Sequence, residues 1–328
     1  MIAGYSRLLR RVRVLPFLLP VSAAIAQTDP SALQWLQRIY AATQTLSYTG
    51  TFVYHQGQQV ETSRITHVVE GSGLRERLEA LDGVPREIIR TRDEVVCYLP
   101  GSMKVKIDRQ PSQRAFPNIL PAQIKELSEN YSITRGDVER VGGYSCQIIV
   151  LEPRDRMRYG HRLWADVNTG MLLKARTLNE KNEIVEQFVF TQLKIGGNID
   201  RDQLQSHFSR ESRGWRIEDS TARNADLAQT GWSIRTKPPG FRTVTELVRT
   251  LGGIRGVGHI VLSDGLAAVS VFIEPAAGKQ PIPQTRLVRL GATNVYMRPV
   301  GDHWITVVGE APAESVKYIA NAVEYHKQ

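Results

Sequence analysis

The chain has 328 residues, of which 41% are hydrophobic and 23% are charged, and its formal net charge is +9 at pH 7. This composition is that of an ordinary globular protein and excludes a low-complexity or collagen-like chain. The basic excess is concentrated near the end, since residues 229–328 carry 11 Lys and Arg against 7 Asp and Glu. It suits an acidic partner or a phosphate-bearing lipid, although a mildly basic, solvated surface is the simpler interpretation of any single side chain.

The first 26 residues have the layout of a cleavable secretory signal. Four arginines, the last at Arg13, precede an apolar run over residues 14–25 and the small-residue ending Ala24-Ile25-Ala26. A membrane span needs about 20 apolar residues, so this run is too short to be one. We therefore expect cleavage after Ala26 and a mature chain outside the cytoplasm. Its formal charge would be +5, and no nucleic-acid partner is expected.

A helix is the first predicted element of the mature chain. Thr28 or Asp29 can cap it, Pro30 suits its first turn, and Leu46 ends it. Apolar residues recur on one of its faces, at Leu33, Leu36, Ile39 and Tyr40. The helix opens a first domain that we predict to span residues 27–197.

From residue 47 to residue 193 the hydrophobic period changes to two, which predicts strands joined by short antiparallel turns. Ten strands are expected, at Tyr48–His55, Val60–Val69, Leu74–Leu81, Arg86–Thr91, Val95–Leu99, Lys104–Ile107, Tyr144–Pro153, Tyr159–Asp166, Leu172–Leu178 and Ile184–Leu193. One interruption, Pro121–Tyr131, is predicted to be a helix with Ile124 and Leu127 inward. A sheet of this size tends to curl, so we expect an open sheet around helical material, with an apolar cavity on its concave face.

The last third of the chain predicts a linker and a second domain. Residues 198–229 are polar and weakly periodic, with some local helix near Asp202–Phe208, and residues 230–328 are predicted to form a smaller α+β domain. Its strands are expected at Val257–Ser263, Leu266–Glu274, Arg286–Leu290, Thr293–Arg298 and His303–Gly309. Asp264-Gly265 predicts a tight hairpin between the first two of them. A closing helix from Pro312 carries the apolar stripe Val316, Ile319, Ala320 and Val323.

Both cysteines, Cys97 and Cys146, fall in predicted strands of a chain expected to reach an oxidising compartment. We predict a disulfide between them, which would close a loop of about 50 residues and stabilise the fold by roughly 4 kcal/mol. The alternative is two separate thiols packed as small apolar residues. The choice depends on whether the two strands are neighbours.

Motifs for catalysis or metal binding are missing from the sequence. The seven histidines are scattered, and there is no His-Glu-x-x-His and no Cys-x-x-Cys. Ser145 lacks the second glycine of a nucleophile elbow, and the Gly-rich stretch 252–258 fits neither a dinucleotide-binding fingerprint nor a P-loop. Acidic pairs such as Glu183/Glu186 are interpreted as solvated faces. We therefore expect no enzymatic activity, no catalytic residue, no metal and no cofactor.

Aromatic residues on the predicted sheet are candidates for a ligand-binding wall. Phe52 and Tyr54 share one face of a strand, Phe188 and Phe190 share a face of another, and Trp164 lies on a third strand. The simpler interpretation is ordinary sheet core. The functional interpretation is a wall that binds acyl chains or an extended peptide by burying apolar surface.

Seven strings in order along the mature chain carry a family resemblance. They are RERLEALDGVPREIIR (75–90), GYSCQIIVLEP (143–153), RYGHRLWADVNTGMLLKA (158–175), NEKNEIVEQFVFTQL (179–193), PPGF (238–241), SDGLAAVSVFIEP (263–275) and ITVVGEAP (305–312). Together they resemble the RseB/MucB family of periplasmic sigma-E factor regulatory proteins. The resemblance implies a mostly β, α+β fold: a half-open antiparallel β-barrel with helices, of the type found in LolA lipoprotein carriers, plus a smaller antiparallel α+β domain.

The resemblance also implies a partner and an effector. Members of the family bind the periplasmic part of a membrane-spanning anti-sigma factor, RseA or MucA, and shield it from the site-1 protease DegS. Lipopolysaccharide or another lipid loosens that contact. The chain is therefore expected to be a non-enzymatic negative regulator of the periplasmic envelope-stress response. Its expected partners are an anti-sigma factor and a lipid, and a homodimer is left open.

Site residues follow from the resemblance only in outline, because the family has no catalytic motif. The anti-sigma segment is expected to contact the second domain and the groove between the domains, where the candidates are Trp232, Phe241, Phe272, Arg286, Arg289 and Arg298. The candidates for a lipid cavity are Phe52, Tyr54, Trp164, Phe188 and Phe190. A lipid or lipoprotein carrier of the LolA type is the alternative function, although a simple carrier does not need residues 230–326. A third hypothesis is a periplasmic hydrolase, but no motif of a nucleophile with a neighbouring base in the sequence supports it.

Overall fold

A computed structural model describes residues 29–71, 73–109, 116–220, 222–276 and 285–326. The predicted signal peptide, residues 1–26, lies outside the described residues. Among the helices of the described ranges, none is long and apolar enough to cross a membrane. The chain forms a large and a smaller sheet with few helices, which confirms the mostly β, α+β fold class expected from the sequence.

Helix α1, Pro30–Thr45, forms where the sequence predicts it. Asp29 caps its start, since the carboxylate accepts hydrogen bonds from the Ser31 N–H and the Ser31 hydroxyl at 2.8 Å each. Leu36 and Ile39 on its apolar face are fully buried in the core of the first domain. The helix is therefore held on the sheet by the stripe that the sequence shows.

Twelve strands form the sheet of the first domain. They are β1 (Tyr48–Gln56), β2 (Gln59–Glu70), β3 (Gly73–Ala80), β4 (Glu87–Arg90), β5 (Val95–Leu99), β6 (Lys104–Asp108), β7 (Tyr131–Val141), β8 (Tyr144–Pro153), β9 (Gly160–Asp166), β10 (Leu172–Leu178), β11 (Ile184–Ile195) and β12 (Arg216–Ser220). Their order is β12-β6-β5-β4-β3-β2-β1-β11-β10-β9-β8-β7, and only the β12–β6 pair is parallel. In the described residues β12 and β7 do not pair with each other, so the barrel stays half-open.

The ten strands predicted for this domain are confirmed, and β7 and β12 are additional. The predicted helix at Pro121–Tyr131 is wrong in extent. It is reduced to a 3-10 turn at Ile124–Glu126 and a single α-helical turn, α2 (Leu127–Asn130), after which the chain continues directly into β7. The apolar residues Ile124 and Leu127 are buried as expected. β7 is an edge strand with exposed charges and a register shift, so its sequence lacks a clear period of two.

The predicted disulfide is wrong, because Cys97 and Cys146 are both free. Cys97 lies on β5 and Cys146 on β8, and seven other strands separate β5 from β8 in the sheet order. Neighbouring strands are about 4.8 Å apart, whereas a disulfide needs Cα atoms within roughly 7 Å. Cys146 is part of the apolar core of the first domain, which is the alternative interpretation of its role.

Seven antiparallel strands form the main sheet of the second domain. They are β13 (Ala222–Asn224), β15 (Arg242–Leu251), β16 (Ile254–Ser263), β17 (Ala268–Pro275), β18 (Arg286–Leu290), β19 (Thr293–Val300) and β20 (His303–Gly309), in the order β13-β15-β16-β17-β20-β19-β18. The short strands β14 (Trp232–Ile234) and β21 (Val323–Tyr325) pair with each other. Helix α3 (Ala313–Ala322) packs on β19 and β20, and the predicted stripe Val316, Ile319, Ala320 and Val323 is buried.

The segment predicted as a linker, residues 198–229, contains short 3-10 turns at Arg201–Leu204, His207–Ser209 and Glu211–Gly214. It also supplies β12, an edge strand of the first sheet, and β13, an edge strand of the second. The segment is therefore hydrogen-bonded through its backbone to the sheets of both domains. The domain boundaries drawn from the sequence stay a prediction.

Candidate ligand site between the two domains

A cavity of about 500 Å³ lies between the two domains. The first domain lines it with residues of β1, β3, β9, β10 and β11 and of the segment 116–130. The second domain lines it with residues of β15, β16 and β17, with the tip of the β16–β17 hairpin, and with Glu310. This volume and a largely apolar lining are typical of small-molecule sites, so the cavity is the main candidate for a ligand.

Aromatic side chains form the wall on the first-domain side. In the paired strands β1 and β11, Phe52 lies beside Phe190 and Tyr54 beside Phe188. Tyr54 stacks on Phe188 with ring centroids 4.4 Å apart, and Phe188 stacks on Phe116 at 4.9 Å. Phe52, Tyr54 and Phe188 line the cavity together with Phe116, which sequence reasoning does not single out. Phe190 is 1% exposed and packs behind this wall.

Trp164 does not line the cavity, so its proposed place in the wall is corrected. Adjacent residues of a strand point to opposite faces, and it is Leu163 that lines the cavity. The Trp164 indole N–H donates to Glu139 at 2.8 Å, and the Lys174 ammonium lies 4.3 Å from the centre of its ring. Trp164 therefore packs on the face of the sheet that points away from the cavity.

Two carboxylates, one from each domain, face the cavity. Glu186 on β11 accepts hydrogen bonds from the Tyr54 hydroxyl at 2.8 Å and from the Thr177 hydroxyl at 3.2 Å. Glu310, which follows β20, lines the same space. Burial raises the pKa of Glu186, and burial together with the charge of Glu186 raises the pKa of Glu310 to about 7. At neutral pH the two groups therefore carry less than two full negative charges.

The interpretation of Glu183 and Glu186 as a solvated acidic pair is correct for only one of them. Glu183 is exposed, whereas Glu186 is 6% exposed. Glu183 lies in the turn before β11, whereas Glu186 lies on β11, two residues from Phe188 and therefore on the same, cavity-facing side of the strand. The spacing from Phe188 is the sequence signal that places this carboxylate on the cavity side.

The tip of the β16–β17 hairpin carries a buried ion pair between the domains. Arg158, in the loop between β8 and β9, donates to the Asp264 carboxylate at 2.6 Å, and neither side chain is accessible to solvent. The Tyr131 hydroxyl donates to the same carboxylate oxygen at 3.1 Å. Arg158 also donates to Asp155 and to the Pro239 carbonyl. Because a buried charge left without partners is costly, this network opposes separation of the two domains at the hairpin tip.

The remaining ionisable groups of the lining offer no free cation. Arg242 is the only Lys or Arg among the described lining residues, and it donates to Glu126 at 2.9 Å. Burial lowers the pKa of His161 to about 4, so this histidine is neutral at physiological pH. The lining is therefore neutral to anionic. It favours an apolar, uncharged part of a ligand over an anionic group.

In the described part of the chain, one group of side chains has the composition and spacing to bind a metal ion: Glu79, Glu87 and His207. The Arg77 guanidinium lies among them, 2.8 Å from Glu87, 2.7 Å from His207 and 3.2 Å from Glu79. It neutralises the carboxylates and occupies the position that a cation would need. We therefore interpret the group as an ion-pair network that ties the segment after β11 to the first sheet.

Comparison with known proteins identifies the family of this chain. The profile of the MucB/RseB N-terminal domain matches residues 31–208, and that of the MucB/RseB C-terminal domain matches residues 226–324. The chain belongs to the MucB/RseB family. Its members are regulatory proteins of sigma factors and not enzymes. The resemblance read from the sequence is confirmed.

Relatives and solved structures extend the match over both domains. The sigma factor AlgU regulatory protein MucB of Pseudomonas aeruginosa is 32% identical over 324 residues, covering 96% of this chain and 98% of that protein. The sigma-E factor regulatory protein RseB of Salmonella typhimurium is 25% identical over 306 residues, covering 92% and 93%. A crystal structure of MucB in complex with MucA(peri) is 30% identical with a TM-score of 0.71, covering 90% of this chain and 100% of that one.

Two of the apolar residues predicted to contact the anti-sigma factor are buried in this MucB/RseB chain. Trp232 is 6% exposed and packs edge-on against His303, with ring centroids 4.9 Å apart. Phe241 is 4% exposed, and the Arg158 guanidinium lies 5.4 Å from its ring centre. Phe272 is half-buried and stacks on His259 at 4.3 Å. Their role in binding stays a prediction, and for the first two it requires a rearrangement that exposes them.

The three predicted basic residues divide into a structural one and two exposed ones. Arg298 donates to the carbonyls of Ala320 and Val323 at 2.8 and 2.7 Å, so it caps the end of α3. Arg286 and Arg289 are exposed on β18, at the edge of the second sheet. Arg289 also lines a second, more polar cavity of about 600 Å³. Their role in binding a partner stays a prediction.

Proposed function

We propose that this chain is a periplasmic negative regulator, cleaved after Ala26, that binds the periplasmic segment of a membrane-spanning anti-sigma factor of the RseA or MucA type. The bound segment is shielded from a site-1 protease of the DegS type, and binding of a lipid or lipopolysaccharide releases it. One observation carries the proposal: similarity to MucB extends over both domains, and MucB has been crystallised with MucA(peri).

The surface proposed for the anti-sigma segment is the basic edge of the second domain. In the described residues β18 pairs only with β19, so its other edge has backbone groups free to pair with an extended segment. Arg286 and Arg289 stand exposed on this strand. Opposite charge on the segment would raise the association rate, and added salt would slow it.

The place proposed for the lipid is the interdomain cavity. Its aromatic wall of Phe52, Tyr54, Phe188 and Phe116 suits an acyl chain, because burial of each methylene group contributes about 0.8 kcal/mol. Glu186 and Glu310 disfavour a phosphate deep inside. The polar head of the lipid is therefore proposed to stay outside the cavity, with only the acyl part within it.

A pull-down from solubilised envelope with residues 27–328 as bait tests the proposed partner. We expect a single-span anti-sigma factor in the eluate. Light scattering on the bait and on the complex then decides whether the chain acts as a monomer or a homodimer. The absence of any anti-sigma factor, together with transfer of lipid to acceptor membranes, would favour the carrier function instead.

The double charge reversal Arg286→Glu/Arg289→Glu tests the proposed surface. Because like charges that face each other cost several kcal/mol, we expect binding of the anti-sigma peptide to weaken about tenfold or more. The matched control is Arg92→Glu/Arg140→Glu, which reverses two exposed arginines of the first domain. Equal effects of the two double variants would place the contact elsewhere.

Titration of lipopolysaccharide fragments with and without the anti-sigma peptide tests the release step. Coupling between two sites is reciprocal, so each ligand must weaken the other by the same factor, and a typical coupling energy is about 1–3 kcal/mol. Equal lipid affinity in the two titrations would mean that the chain shields the anti-sigma segment whether or not lipid is bound.

Truncation to residues 27–197 tests which domain binds the anti-sigma peptide. It should abolish peptide binding if the second domain carries the contact.

A further inference from the structure

The tip of the β16–β17 hairpin, residues 263–266, belongs to the second domain by sequence and to the first domain by packing. Leu266 packs against the core cluster of the first domain. Gly265 has a φ of +104°, and a Cβ atom there would lie 3.1 Å from Leu127 and 3.4 Å from Pro121. All four residues of the tip line the interdomain cavity. The tip is therefore part of what the second domain contributes to the lining of a cavity whose aromatic wall belongs to the first domain.

Hydrogen bonds tie the tip to the strands of its own domain. The Asp264 carboxylate accepts hydrogen bonds from the Leu266 N–H at 3.0 Å and from the Ala267 N–H at 2.8 Å, and the Ser263 hydroxyl oxygen accepts one from the Gly265 N–H at 3.0 Å. The strands β16 and β17 that carry the tip are inner strands of the second sheet. Because these bonds close the turn and pair its strands, displacement of Leu266 from the first domain requires the second domain to shift.

We propose that Leu266 and the acyl chain of a bound lipid compete for the same end of the interdomain cavity, so that a sufficiently long chain displaces the hairpin tip and loosens the contact between the domains. The proposal rests on the proposed function, because it takes the cavity to be the site of an acyl chain. It adds to that function that Leu266 limits the length of the acyl chain that fits, and that displacement of Leu266 by a longer chain moves the second domain.

The balance of contacts favours such an exchange. An acyl chain in place of Leu266 makes the same kind of apolar contact with the first domain, so the exchange itself costs little. Resistance comes from the ion pair between Asp264 and Arg158, which is directional and fully buried. A short chain therefore binds beside an undisturbed tip, and each further methylene group adds apolar burial until displacement becomes favourable.

The test uses 1-monoacylglycerols with chains of 8 to 16 carbons, because their uncharged head avoids repulsion by Glu186 and Glu310. Binding to the mature chain is measured by calorimetry below the critical micelle concentration. Affinity should rise about fourfold per methylene group until the chain reaches Leu266, and then level off. In Leu266→Ala the rise should continue to longer chains. In Leu266→Phe it should stop at shorter ones.

The control variant is Leu287→Ala, which shortens a half-buried leucine of the same domain outside the cavity lining and should leave the profile of affinity against chain length unchanged. Small-angle scattering supplies a second readout. Chains longer than the levelling-off point should increase the radius of gyration of the parent protein, but not that of Leu266→Ala, because the enlarged cavity holds them without displacing the tip. A merely structural role of Leu266 would shift stability without changing the profile.

The outcomes separate this inference from the function on which it rests. Identical profiles for the parent, Leu266→Ala and Leu266→Phe would overturn the role of the tip and leave lipid binding intact. Failure of every monoacylglycerol to bind the parent protein would overturn the proposed lipid function, and the inference with it. If Leu266→Ala does not fold, Leu266→Phe decides alone: an earlier levelling-off supports the competition, and an unchanged profile overturns it.

Discussion

The interior of each domain and the contact between the domains are held by different kinds of interaction. Each domain has its own apolar cluster, which includes Phe190 and Leu36 in the first and Val307 and Ile319 in the second. Between the domains lie a cavity and the buried Arg158–Asp264 ion pair. Apolar burial within each cluster is non-directional, whereas an ion pair holds one geometry. The domain contact can therefore change while both cores stay folded.

Two further contacts between the domains are polar, while Leu266 supplies an apolar one. The Asn294 amide donates to the Tyr159 hydroxyl at 3.0 Å, and the Ser315 hydroxyl donates to the Met157 carbonyl at 2.5 Å. Hydrogen bonds of this kind contribute roughly 1 kcal/mol each to stability, less than the burial of a large core side chain. A regulator that responds to a ligand needs such a contact, because a few kcal/mol of binding free energy must be able to shift it.

The largest effect is expected from a core substitution. Phe190→Ala removes a ring that is 1% exposed and lies against Phe52 and Tyr48, and it should lower the free energy of unfolding by about 4 kcal/mol. Urea denaturation measures this loss. The control is Val60→Ala, at a position 60% exposed, which should stay within about 0.5 kcal/mol of the parent. A loss below about 1 kcal/mol for Phe190→Ala would contradict the assignment of this residue to the core.

A smaller loss is expected at the domain contact. Asp264→Asn leaves Arg158 buried with Asp155 as its remaining carboxylate, so we expect a loss of about 2–3 kcal/mol, below the value for an ion with no remaining partner. Because the domain cores are untouched, scattering at low denaturant should show a larger radius of gyration with both domains folded. Asp302→Asn, at an exposed aspartate, serves as control. An unchanged radius of gyration for Asp264→Asn would mean that the ion pair does not position the domains.

A pH effect is expected from the Glu186–Glu310 pair. The pKa of Glu310 is raised from an ordinary 4.5 to about 7, so the folded protein binds more protons than the unfolded chain between those values. The contribution of this group to stability is therefore fully present below about pH 4.5 and is lost as the pH rises through 7. Burial lowers the pKa of His161 to about 4, which gives the opposite slope.

The variant Glu310→Gln separates the two pH contributions. Thermal melts at pH 5, 6, 7 and 8 should show that the difference between the parent and Glu310→Gln declines from pH 5 through pH 7 and levels off near pH 8, while His161 contributes equally to both. Glu314→Gln, four residues further along and exposed, should keep the pH profile of the parent. A constant difference across the range would show that the carboxylate pair is not coupled to folding.

The last prediction concerns the order in which the two thiols react with an alkylating reagent, and it involves no change in stability. Cys97 is half-buried, whereas Cys146 is buried and burial raises its pKa to about 12. Because the thiolate is the reactive form, Cys97 should be alkylated first in the native protein and Cys146 only after unfolding. Mass spectrometry should find two labels per chain under denaturing, non-reducing conditions. An unlabelled chain under those conditions would show that the two cysteines form a disulfide after all.

The local elements of this chain follow from its sequence. Helix α1 needs only its Asp29 cap and an apolar stripe, the hairpin tip needs Asp264 and Gly265, and α3 needs its own apolar stripe. Each of these signals acts between residues at most a few positions apart. The alternation of Phe52 with Tyr54 and of Phe188 with Glu186 likewise places these side chains on one face of their strands before any tertiary structure is known.

The site itself was decided by contacts between distant parts of the chain. β1 pairs with β11 and thereby brings Tyr54 to Glu186, which is 132 residues away in sequence. Arg158 and Asp264 meet across 106 residues, while Cys97 and Cys146 remain on strands that are far apart in the sheet. Periodicity tells which face of a strand a residue occupies, but not which strand lies beside it. Strand order is set by the burial of all the faces together, so the cavity, its carboxylate pair and the free thiols were fixed only by the tertiary structure.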